Sequence, residues 1–143
     1  MFLYRHALEL HLKNVLYRVA KLFAFKDIET MYEGFHNNHD LLIADKAYNV
    51  IKKAFPKDHE LHEIMTKTKR VAKEFSDIDP NSFAYRYPVK KDGSPSTPKR
   101  QTVNLEATAV EMNALLLELE NINLGIGLEI ANAQEIFQEL KNI

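Results

Sequence analysis

The sequence predicts an all-α fold, an up-and-down bundle of four to five helices with a projecting β-hairpin or extended arm at about 80–103. Three observations lead there. Apolar residues recur at alternating spacings of three and four over most of the chain. Only four glycines and five prolines occur in 143 residues, and Pro88, Pro95 and Pro98 fall close together. Long stretches are therefore free of helix breakers, and the helical period fails mainly at 25–38 and 77–103.

The first helix is expected over residues 2–24, where Leu8, Leu12, Val15, Val19 and Leu22 form one face. Residues 25–38 lose that pattern around Gly34 and Asn37-Asn38, with at most a helical turn near Ile28–Tyr32. A second helix is expected from about 40 to 55, with Asp40 as a first-turn acid and Pro56 as the stop. Its apolar face would be Leu42, Ala47, Val50, Ile51 and Ala54. The third, about 57–76, starts near Lys57-Asp58 and lines up Leu61, Ile64, Met65, Thr68, Val71, Ala72 and Phe75. "FAYRYPV" then alternates in part, "KKDG" signals a turn and "SPSTPKR" excludes a helix, which gives the hairpin or arm. So long a non-helical insert is usually functional or disordered. Asn104 caps a fourth helix with a seam of Leu105, Ala109, Met112, Leu116 and Leu119. "NLGIG" (123–127) breaks or weakens it, and a fifth segment continues to about 141.

Composition narrows the function classes. At 45% apolar residues the chain can build a core. No cysteine is present, so disulfides and thiolate metal sites are excluded. No run of about 18 apolar residues would span a membrane, and no secretory leader is evident, so a cytoplasmic location is expected. The formal charge of −1 hides an asymmetry: residues 1–75 sum to +3, 76–103 to +2 and 104–143 to −6. A uniformly basic nucleic-acid binder would look different, but a local basic patch, or association between basic and acidic parts, fits.

The chemistry concentrates in "YRHALELHLK", Tyr4 to Lys13. Arg5, Glu9 and Lys13 follow one another at i,i+4 and share a helix face. Read plainly, this is a salt-bridged surface row. Arg5 and His11, however, diverge by about 120° around an ideal helix and rise about 9 Å apart. One helix does not close both on a small ligand, whereas two copies across a two-fold axis can.

"FLYRHALELHLK" resembles the signature of HEPN domains (higher eukaryote and prokaryote nucleotide-binding). That signature is an arginine, a polar residue directly after it, and a histidine about four to six residues beyond the arginine. Arg5, His6 and His11 match it, with five residues between Arg5 and His11. "HDLL" (His39–Leu42) and "FAYRYPVKKDGSPS" (Phe83–Ser96) also resemble stretches of bacterial HEPN-like proteins. The resemblance implies a single HEPN-like domain over 1–143, helical, and a homodimer through the first helix. Many members are metal-independent ribonucleases of toxin–antitoxin, phage-defence or CRISPR systems; others bind nucleotides or lack activity. It implies that Arg5 stabilises phosphate charge, His11 serves acid–base chemistry and His6 orients a partner. Tyr4 and Glu9 would be structural or site-orienting. RNA or a nucleotide is the implied ligand, and a nucleotidyltransferase or antitoxin the implied partner; no cofactor or metal is called for. A fixed guanidinium clamp beside an imidazole that titrates near neutrality suits phosphodiester chemistry.

Two further clusters carry candidate chemistry. In the arm, Tyr85, Arg86, Tyr87, Lys90, Lys91, Lys99 and Arg100 interleave aromatics with cations, a pattern that stacks bases and holds phosphates; Arg86, Tyr87, Lys90, Lys91, Lys99 and Arg100 are the candidate substrate-binding residues. The same tyrosines could equally pin the arm to the bundle. "HELHE" places His59 and His62 at i,i+3, unlike the i,i+4 pair of zinc proteases, and reads as a solvated helix start. The alternative to a nucleic-acid or nucleotide role is a non-catalytic helical protein-interaction module.

Overall fold

The computed structural model describes residues 2–25, 40–78, 92–93 and 105–143. Among the described residues four helices make up the fold: α1 (Phe2–Phe25), α2 (Ile43–Ala54), α3 (His59–Ile78) and α4 (Leu105–Lys141). Of the two alternatives at 123–127 the helix is weakened and not broken, since α4 runs unbroken through that stretch and the last segment belongs to it. Gly125 and Gly127 remove side chains but leave every backbone N–H in place, so they weaken the helix without interrupting its ladder. The expected β-hairpin is corrected: no strand occurs among the described residues, which form an all-α bundle, and positions 80–91 and 94–103 lie outside them. Of the arm only Asp92 and Gly93 are described, a turn in which Gly93 takes a φ of 84°, as a glycine in a tight turn readily does.

The helices start where local chemistry fills their first-turn donors. Asp58 Oδ1 accepts from the Leu61 N–H at 3.0 Å, capping α3. Asp40 Oδ1 accepts from the Leu42 N–H at 2.9 Å, closing the turn that leads into α2. Between α2 and α3 the chain turns at Pro56, and His62 Nε2 donates to the Phe55 carbonyl at 2.8 Å. That bond ties the start of α3 to the end of α2.

One core joins the four helices. α1 contributes Leu8, Leu12, Val15, Leu16, Val19 and Leu22; α2 contributes Ile43, Ala44, Ala47 and Ile51. Met65, Val71, Ala72 and Phe75 of α3 complete it with Met112, Leu115, Leu119, Ile122, Ile126 and Ile130 of α4. Thr68 is fully buried and donates its hydroxyl to the Ile64 carbonyl at 2.8 Å. Leu42, assigned to the buried face of the second helix, is exposed, and Leu41 takes its place. On α4 Met112 and Leu119 are buried as expected, but the seam passes through Leu115, with Leu116 only packed at its edge.

Chain direction departs from up-and-down order. Asn123 of α4 meets His11 and Arg18 of α1, and Leu22 shares a groove with Glu129 to Leu140. The two helices therefore run in the same sense. α3 opposes α4, since Arg70 pairs with Glu111 and Lys67 with Glu118. α2 opposes α3, with Asp45 on Lys69 at 3.0 Å and Phe55 on His62. Lys53, at the end of α2, lies 6.0 Å from the ring of Phe23, at the end of α1. α1 and α2 are thus parallel as well. α2 is only 12 residues, about 18 Å, and the stretch 26–42 is long enough to return that distance.

Candidate functional site on the first helix

α1 carries Tyr4, Arg5, His6, Glu9 and His11 on a helix packed against α4 and α2. The structure separates them by burial. Arg5 and Glu9 are each 1% exposed. Arg5 Nη1 lies 3.6 Å from Glu9 Oε2, and Lys13 Nζ donates to Glu9 Oε1 at 2.7 Å. The row is therefore salt-bridged, as its spacing predicts, but it is not a solvated surface row. Glu9 sits between two cations on the inward side of the helix, which is how a carboxylate tolerates burial. Tyr4 is half-buried against the core.

His6 and His11 are half-buried and keep some access to solvent. His11 is fixed through its backbone, whose carbonyl accepts from Asn123 Nδ2 at 3.4 Å. Asn123 itself is buried and holds a second link, because Arg18 Nη1 donates to its carbonyl at 2.5 Å. Sequence reasoning missed Arg18 and Asn123. Asn123 lies in a stretch marked only as a helix weakener, yet it joins α1 to α4 where Gly127 leaves room for the Arg18 guanidinium. A Cβ at Gly127 would sit 2.5 Å from Arg18 Nη1.

The arm residues Arg86, Tyr87, Lys90, Lys91, Lys99 and Arg100 lie outside the described residues, so the structure does not place them beside α1. His59 and His62 meet edge to face at 6.1 Å, and His62 uses Nε2 as a donor to a carbonyl. That nitrogen is therefore protonated and offers no lone pair to a metal. No cluster of three metal-ligating side chains occurs among the described residues. Nor is any described helix long and apolar enough to cross a membrane.

Elsewhere, Arg70 with Glu111 and Lys67 with Glu118 form ion pairs between α3 and α4. Arg70 donates to the carboxylates of Glu111 and Glu74, and these hydrogen bonds, that to Glu111 first, raise its pKa above its ordinary value. A groove of about 740 Å³ lies between the same helices, with Leu61, Ile64, Ile122 and Ile126 in its walls and Asp58, Glu60, Glu63 and Glu129 among its carboxylates. A phosphate would be repelled there.

Comparison with known family models, curated proteins and solved structures finds no match to this chain.

Proposed function

We propose that this chain is a non-catalytic helical interaction module. The observation that carries the reading is the burial of Arg5 and Glu9 within a single chain, at 1% exposure each. A guanidinium serving as a phosphate clamp has to meet its ligand. Arg5 instead lies against a carboxylate on the inner side of α1. Its charge has an architectural use, since it offsets that of Glu9 in the buried pair, with Lys13 on the other carboxylate oxygen. With Arg5 turned inward onto Glu9, its guanidinium is withdrawn from the half-buried imidazoles of His6 and His11 that would work on a phosphodiester.

The discriminating experiment is RNA cleavage with EDTA present, comparing wild type with Arg5→Ala and His11→Ala. The module reading expects no cleavage above background in any of the three. Wild-type cleavage that disappears in either variant would restore the ribonuclease reading.

Binding without catalysis is the second reading, and the solvent access of His6 and His11 favours it. In that case RNA or a nucleotide binds through imidazoles and arm cations, and added salt weakens the complex. Reversal of Lys90, Lys91, Lys99 and Arg100 to Glu would abolish such binding, and unchanged affinity would exclude the arm.

A further inference from the structure

α4 is apolar on two opposite faces. Its inner seam fills the core, while its outer face carries Val110, Ala114, Leu117, Asn121, Leu124 and Leu128, all exposed. Their spacings are four, three, four, three and four. The four large residues are 67%, 58%, 58% and 68% exposed in chain order. A helix with one core face normally presents polar side chains to water, so a second apolar stripe about 27 Å long calls for a cover.

The stripe has the register of a coiled-coil seam, with Val110, Leu117 and Leu124 at one repeat position and Ala114, Asn121 and Leu128 at the other. Asn121 identifies the cover. An amide within an apolar seam is well matched by an equal amide at the same height, and a parallel two-fold pairing brings each residue against its own image. Parallel pairing sets Asn113 beside Glu118 of the second copy and Glu120 beside Gly125 of the second copy; at the start of the seam Glu106 comes beside Glu111 of the second copy, whose carboxylate Arg70 already holds. Antiparallel pairing places Asn121 against leucine and leaves its amide without a match.

α1 offers a control within the same molecule. Leu3, Ala7, Leu10, Asn14 and Tyr17 repeat the spacing on its outer face. The cations that flank that stripe are already engaged within the chain, Lys13 on Glu9 and Arg18 on the Asn123 carbonyl of α4.

We propose that the outer face of α4 pairs in parallel with α4 of a second copy, with the Asn121 amides meeting at the axis. This rests on the reading of the chain as an interaction module and names its partner. The chain has no cysteine, so one engineered thiol reports one position. Asn121→Cys should oxidise to a covalent dimer well ahead of Lys52→Cys, which lies on the exposed side of α2. Light scattering on the full chain should give twice the monomer mass. Leu117→Asp with Leu124→Asp should return it to the monomer mass with its helical circular dichroism retained. The pairing is overturned by a monomeric wild type, by Asn121→Cys crosslinking no faster than Lys52→Cys, or by Asn14→Cys crosslinking in its place. A dimer that cleaves RNA would remove the module reading and leave the seam. A monomer that does not cleave would remove the seam and leave the module reading.

Discussion

Arg18 Nη1 donates to the backbone carbonyl of Asn123 at 2.5 Å, a bond that spans 105 positions of sequence and fixes α1 against α4. It forms where Gly127 leaves the guanidinium room, since a Cβ there would meet Arg18 Nη1 at 2.5 Å. Gly125, two residues earlier, has open space around the same position. The two glycines should respond differently to the same substitution. Gly125→Ala should stabilise the chain by about 0.5–1 kcal/mol through helix propensity. Gly127→Ala gains the same propensity but displaces Arg18, whose charged hydrogen bond contributes roughly 1–2 kcal/mol at a part-buried site. Urea unfolding should therefore show Gly127→Ala less stable than Gly125→Ala, and equal stabilities would remove the role given to Arg18.

Leu117 and Leu119 separate the two faces of α4. Leu119 is fully buried and Leu117 is 58% exposed. Leu119→Ala should cost about 2–5 kcal/mol of folding stability. Leu117→Ala should cost under about 0.5 kcal/mol in the isolated chain and act on self-association instead. Dilution-dependent unfolding separates the two effects.

At the start of α3, Asp58→Ala removes the acceptor of the Leu61 N–H and should cost about 1 kcal/mol. Asp58→Asn keeps a capping oxygen and should recover most of it. A loss equal to that of the alanine variant would point to charge rather than capping.

Much of this fold was legible because its signals are local and periodic. Leu8, Leu12, Val15 and Leu22 announce α1, and all four are buried. Pro56 and Asp58 mark the turn between α2 and α3 with little ambiguity. The continuity of α4 was not legible, because Gly125 and Gly127 are breakers by propensity and only packing against α1 outweighs that. Chain direction was hidden for a similar reason, since periodicity gives a helix's apolar face and says nothing about the sense of its neighbours. The charged row of α1 was half legible. Spacing predicted the Arg5–Glu9–Lys13 pairing, but burial depends on what packs over the helix, and charged residues are so seldom buried that exposure was the natural expectation. The outer seam of α4 escaped notice because its leucines interleave with those of the core, and a helix rich in both reads simply as apolar.

The central claim is that Arg5 belongs to the architecture of α1 and not to a reaction centre, and equilibrium urea unfolding of Arg5→Met tests it most directly. Removing one member of a buried charge pair while keeping similar side-chain bulk should cost about 3–5 kcal/mol, with part of the loss recovered when Glu9→Met is added. An Arg5→Met chain as stable as the wild type would contradict the account and return Arg5 to the list of residues kept for chemistry.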